Sequence, residues 1–408
     1  MERTDPSGTP RTPARHRRSA AGVLVAVVAV AVLAAACSSA TTASGNGGNS
    51  ASTVSTSDNT RYSVPGPYAA GTARYTLSNG DNVQIWYPVA KSAVAGQQPY
   101  TYSITSWLPA SLQSNPFLAG LSVTYTTNSY LNAPLAPDPT LVDHSATSFP
   151  VALFSHGFGS FPEQSSFLTS HLAQWGFVVA APDHRSRDLA AVLTNTVVTT
   201  GSPDVTDLLN TLTFLRSEDT TPGNFFSGKL DLSEVGVLGH SAGGGAAVTF
   251  AANPAVRTYV AMAPAGGVPP PTSKPGLVMY GSSDGVVTPS SVQNLYAKLP
   301  TPKRLVVIAG AGHNVFDDIC QIGKGSQRLV VQLQKLPKSI LGTGALSVLA
   351  GDGCFPPDLD PVTAQPLIDQ AATAQLLYGV GINATPVGLD TGLDHAFPGV
   401  SATYYQKT

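Results

Sequence analysis

Apolar residues are spread along this chain in three ways, and each predicts a different kind of structure. From about Ala20 to Ala36 they run almost without a break. From Ser38 to about Thr60 they nearly vanish, and from Thr72 onward they return as short runs separated by stretches of helical spacing. The short runs cover residues 72–77, 83–87, 151–154, 177–181, 235–238, 259–262, 277–280 and 305–308. Most of those from Val151 onward are apolar throughout, as strands buried on both faces of a parallel sheet should be. Between them the spacing predicts helices over about 165–175, 204–215, 242–252 and 290–299, with a last amphipathic helix near 364–378. Strand and helix in alternation mean a mostly parallel central sheet covered by helices on both faces. The first two strands, close together and ahead of the alternation, would form an antiparallel edge.

Two stretches break the alternation. Residues 100–148 are rich in Tyr, Leu, Pro, Ser and Thr and read as an irregular or helical cap. Residues 316–361 hold two cysteines and read as a second insertion. The domain carrying both would occupy 62–408. Ahead of it, the Ser-, Thr- and Gly-rich stretch 37–61 cannot bury enough surface to offset its ordering entropy, and reads as a flexible linker.

The continuous apolar run follows a basic head of Arg11, Arg15, Arg17 and Arg18 and ends in Leu33-Ala34-Ala35-Ala36-Cys37. A basic start, an apolar middle and a small-residue exit are the marks of an export signal over 1–36. This one resembles a bacterial lipoprotein signal, which implies a lipid on Cys37 and a membrane tether. A plain signal peptide or an uncleaved anchor fits the same residues, since the run is just long enough to span a bilayer. Beyond Cys37 only Cys320 and Cys354 remain, an even pair in a compartment where disulfides persist. Bridging them would close a loop of about 35 residues and stabilise by roughly 3–4 kcal/mol on the chain-entropy model. The alternative is two separate buried thiols.

Composition narrows the function classes. Hydrophobic residues make up 42% and charged residues 11% of the 408, so a large core is available. With 22 basic and 24 acidic residues, no basic field attracts nucleic acid. No His, Cys and Asp cluster has metal-ligand spacing, so no metal is expected.

The chemistry gathers around a serine. Gly239-His240-Ser241-Ala242-Gly243 fits the G-x-S-x-G elbow, which needs a strand before the serine and a helix immediately after it. Gly281-Ser282-Ser283-Asp284-Gly285 fits the same pattern but runs into Val286-Val287-Thr288-Pro289, a poor helix start. Ser241 has an apolar strand before it and a helix after it. Three consecutive glycines, 243–245, each cost about 1 kcal/mol against alanine inside a helix. They imply a backbone that must approach the sheet closely.

A serine nucleophile needs a base, and the base needs an orienting acid, in this fold in the order Ser, acid, His. Between Ser241 and His313 there is one carboxylate, Asp284, just after the strand at 277–280. His313 lies directly beyond the strand at 305–308, whereas His395 lies in a Pro- and Gly-bounded tail and reads as a surface residue. The expected oxyanion donors are the backbone N–H groups of Ala242 and of Phe158, the latter in the loop Ser155-His156-Gly157-Phe158-Gly159. His156 reads as a structural brace for that loop.

These motifs carry a resemblance. His156-Gly157-Phe158, Pro182-Asp183-His184-Arg185-Ser186, the Ser241 elbow, Asp284 and Gly312-His313 are similar to platelet-activating-factor-acetylhydrolase-like and dienelactone-hydrolase-like proteins. Bacterial polyester hydrolases of the cutinase type look like more distant relatives. The resemblance covers about residues 70–315 and implies the α/β-hydrolase fold and a cofactor-free serine esterase acting on a small ester or lipid-like substrate. Dienelactone hydrolases proper have Cys where this chain has Ser241. Transfer of the acyl group to an envelope alcohol, or a surface protein that kept the fold without the chemistry, are the competing readings.

Overall fold

In the computed structural model, which describes residues 58–335 and 351–408, the apolar runs become neighbouring strands of one sheet. The strands are β1 (Ala69–Thr76), β2 (Asn82–Val89), β3 (Thr101–Ser103), β4 (Thr124–Thr126), β5 (Ser129–Leu131) and β6 (Phe149–Ser155). They continue as β7 (Val178–Pro182), β8 (Leu230–His240), β9 (Val256–Met262), β10 (Gly276–Gly281), β11 (Lys303–Ile308) and β12 (Ala402–Lys407). Ten of them form a sheet in the order β12-β11-β10-β9-β8-β6-β7-β2-β1-β5, while β3 and β4 pair by themselves. From β11 to β7 every pairing is parallel.

The helices are α1 (Ala110–Gln113), α2 (Ser166–Gln174), α3 (Leu189–Thr194), α4 (Pro203–Thr220), α5 (Ala242–Phe250), α6 (Pro289–Lys298), α7 (Leu329–Lys335) and α8 (Pro361–Gly379). Successive strand residues point to opposite faces, and both faces are covered. Val151 and Leu153 of β6 pack with Leu208 and Leu212 of α4 and Ala247 of α5. Ala152 and Phe154 pack with Leu168 of α2 and Leu376 of α8. That is why the central runs are apolar throughout.

Three details depart from the sequence expectations. The antiparallel pair β1–β2 is not the outermost, because short β5 adds to β1 in parallel. The far edge carries a strand, β12, antiparallel to β11, in the tail for which the sequence offered no strand. Its alternation of buried Ala402 and Tyr404 with exposed Thr403 and Tyr405 is a strand pattern of only six residues. The third is that the two stretches outside the alternation share one apolar cluster. Trp107, Leu108 and Leu121 of the first pack with Ile322, Leu329 and Leu333 of the second, and with Leu189 of α3. Both insertions therefore build a single cap. Cys320 and Cys354 are bonded within the second, with S–S 2.00 Å.

Candidate active site

Ser241 stands between β8 and α5 with φ 59° and ψ −122°. That is a conformation L-residues avoid, and it persists only where the surroundings impose it. Here they do. The Ser241 N–H donates to the Met262 carbonyl at 2.9 Å, and its carbonyl accepts the N–H of Ala265 at 2.9 Å and of Gly245 at 3.1 Å. Close approach explains the flanking glycines. A Cβ on Gly243 would fall 1.9 Å from the Ser155 carbonyl oxygen, and one on Gly239 2.3 Å from that of Gly243. The glycine run lets α5 start hard against the end of β6.

His313 and Asp284 arrive from the ends of β11 and β10, neighbours in the sheet. His313 Nδ1 lies 2.9 Å from Asp284 Oδ2, and both side chains are buried. The other carboxylate oxygen of Asp284 accepts the N–H groups of Val286 and Val287 at 2.9 and 2.8 Å. The acid is thus fixed from one side and faces the imidazole with the other. Ser241 and His313 line one narrow cavity of about 40 Å³ together with Phe158, Leu189, Ile319 and Leu333.

The loop after β6 lies against the serine. A Cβ on Gly157 would be 3.4 Å from that of Ser241. Among the described residues, the backbone N–H groups of Phe158 and Ala242 donate no hydrogen bond between loops, turns or caps. His156 braces this loop. Its Nε2 accepts the N–H of His184 at 3.0 Å, and its Nδ1 faces the Gly157 carbonyl at 2.9 Å. Gln164 accepts the Gly157 N–H at 2.5 Å, and its amide nitrogen lies 2.5 Å from His240 Nδ1 and 3.2 Å from Asp317 Oδ2. His240 in turn lies against the His313 ring, centroids 4.6 Å apart. Burial, with His313 beside it, pushes the His240 imidazole well below its ordinary value, so it is neutral there.

A second Ser–His–Asp set lies close by. Ser155 Oγ is 2.8 Å from His184 Nε2, and His184 Nδ1 is 2.9 Å from Asp207 Oδ2. Ser155 is wholly buried, and Arg187 donates to the same hydroxyl at 3.0 Å. Ser155 does not line the Ser241 cleft. This set ties β6 to the loop after β7 and explains the chain's Pro182-Asp183-His184-Arg185-Ser186 motif structurally. Gln164, Asp317 and Arg187 were missed from the sequence, where no spacing marks them. His395 lies at the surface. Cys37 lies outside the described residues. No helix among the described residues is long and apolar enough to cross a membrane.

A cavity of about 550 Å³ shares no lining residue with the Ser241 cleft. A second, about 520 Å³, adjoins the cleft through Phe158 and also touches Ala242 and Val268.

Comparison with known proteins fits this architecture. A parallel sheet covered on both faces, with a serine on the strand–helix elbow and a His–Asp pair from the next strand ends, defines an α/β-hydrolase. A ferulic acid esterase from Streptomyces cinnamoneus shares the fold, with TM-score 0.52 and 20% identity over 76% of this chain and 90% of that one. The model of the PET hydrolase-like family matches residues 139–326. That of platelet-activating factor acetylhydrolase, isoform II, matches residues 54–221. The chain is an α/β-hydrolase, and the two family matches indicate a carboxylic-ester hydrolase similar to platelet-activating factor acetylhydrolases and PET hydrolases.

Proposed function

We propose that the protein is an exported serine esterase that works through an acyl-enzyme on Ser241. His313 takes the Ser241 proton as Oγ attacks the ester carbonyl, and Asp284 holds the imidazole in the tautomer that leaves Nε2 free. The N–H groups of Phe158 and Ala242 receive the oxyanion, each donor worth about 3–4 kcal/mol in the transition state. His313 returns the proton to the departing alcohol. Water then adds to the acyl carbon by the same route, releasing the acid and restoring Ser241.

The observation that carries this reading is the strained backbone of Ser241 in a cleft shared with His313, whose Nδ1 engages Asp284. The apolar walls, Phe158, Leu189, Ile319 and Leu333, favour an apolar acyl group. The relatives suggest the trial substrates: acetyl, aromatic-acid and aromatic-polyester esters. Export is supported by the Cys320–Cys354 bond, which persists in oxidising compartments. Lipid attachment at Cys37 would then tether the enzyme to a membrane.

Ser241→Ala should lower p-nitrophenyl butyrate hydrolysis by about 10⁴-fold or more and abolish labelling by a fluorophosphonate probe. Ser155→Ala is the matched control, and should keep activity within about tenfold while losing about 1–3 kcal/mol of stability. The reverse pattern would move the nucleophile to Ser155. An acid-free ester product in the presence of an added alcohol would favour acyl transfer.

A further inference from the structure

The loops that carry Asp284 and His313 are joined by a carboxylate that belongs to neither motif. Asp352 accepts the backbone N–H of His313 on one oxygen and that of Gly285, at 3.1 Å, on the other. The residue following the proposed acid and the proposed base are thus held by one group. Asp352 also accepts the Asn314 N–H on its backbone carbonyl at 3.1 Å, and Leu359 donates to the Gly310 carbonyl at 2.8 Å. Residues 352–359 therefore run as a strap along the 310–314 loop.

The site is shaped for this strap. A Cβ on Gly285 would lie 2.6 Å from an Asp352 carboxylate oxygen, and one on Gly312 would lie 2.5 Å from the backbone of Gly353. Gly353 itself has φ +82°, which a side chain would resist. Two residues past Asp352 the strap is anchored by the Cys354–Cys320 bond. Arg328 holds that anchor by donating to the carbonyls of Cys320 and Cys354 at 2.6 and 3.3 Å.

We infer that Asp352 is a positioning residue, which fixes His313 relative to the Asp284 loop through a carboxylate bridging their backbone N–H groups. The inference rests on the reading of Ser241, Asp284 and His313 given above. Asp352 does not line the Ser241 cleft and so acts through the backbones of His313 and of the Asp284 loop. Ionised acceptors of two N–H groups make strong, directional bonds, and a displacement of about 1 Å at a reacting group can cost about 10²-fold in rate. Asparagine is the sharp substitution, because its NH₂ would face an N–H donor where the second oxygen now accepts.

The test compares wild type, Asp352→Asn and Asp352→Ser, each titrated with a fluorophosphonate so that kcat is expressed per labelled Ser241. The expected result is a fall of about 10–100-fold in kcat per labelled site and in the rate of phosphonylation, with KM within about twofold. A role in folding alone would lower only the labelled fraction. Wild-type kcat per labelled site would therefore overturn the inference, as would failure of both variants to fold. A wild-type protein that takes up no probe would instead sink the reading of Ser241.

Discussion

A histidine–aspartate pair 2.9 Å apart accompanies a serine twice in this protein, and access to a cleft separates the two sets. Ser155 is sealed within the sheet layer, whereas Ser241 borders a cleft. The nearness of Asp284 to His313 was legible in the sequence, because one carboxylate separates Ser241 from His313 and both follow apolar runs. Asp352 was not legible, since a long insertion intervenes and no motif marks a residue that acts through its carboxylate on backbone N–H groups. Nor was Glu163, a buried acid beside the cap. One oxygen meets Arg74 at 3.3 Å, and the other has no hydrogen-bond partner among the described residues. Burial pushes Glu163 up to about 7, with the Arg74 guanidinium pulling the other way. In the unfolded chain it ionises near 4.5. Between those two values the folded protein keeps a proton that the unfolded chain has released, so this residue's contribution to stability falls as pH rises from about 4.5 to about 7. Glu163→Gln, which mimics the neutral acid, should flatten that fall. Melting curves of both proteins from pH 5 to 8 check it, and parallel curves would mean that Glu163 is ionised in the fold. The buried imidazoles, such as His171 held to about 4 by burial, destabilise both proteins alike in acid, so the difference between the curves isolates Glu163.

At the scale of elements, the parallel strands were readable because they are buried on both faces and so lack polar interruptions. The cap was not readable as one body. Its residues come from two distant stretches, with short 3₁₀ turns and two strands of three residues each, and only their shared apolar cluster unites them. Leu333 of α7 joins this cluster and also lines the Ser241 cleft. It therefore couples the cap to the acyl side of the site. Leu333→Ala should cost about 2–3 kcal/mol of stability and open the cleft. The ratio of kcat/KM for the hexanoyl over the acetyl p-nitrophenyl ester should rise about tenfold, the scale that a few methylenes command in an apolar pocket. An unchanged ratio would place the acyl chain elsewhere, with the cavity touching Phe158 and Val268 the next candidate.

For the whole molecule, the first described residues are bound to the last third of the chain. The Tyr62 N–H donates to Gln370 of α8 at 2.6 Å, Asn59 donates to Asp390 at 2.9 Å, and Asn383 donates to the Tyr62 hydroxyl at 2.8 Å. Composition alone hid this clasp, because its polar residues look like linker. Stability accumulated across such contacts is what allows Ser241 to hold φ 59°, ψ −122°, a conformation that costs about 1–3 kcal/mol. Glycine in place of alanine ordinarily lowers stability by about 0.5–1 kcal/mol. At Ser241 the order should reverse, with Ser241→Gly melting above Ser241→Ala although both are inactive. Chemical denaturation of the two dead proteins measures this, and the ordinary order would mean that the elbow is relaxed. If the inversion holds, the sequence carries at its most reactive position a residue that selection for thermostability alone would remove. Designs that optimise this protein for endurance will then drift toward an inert scaffold unless hydrolysis is scored alongside melting.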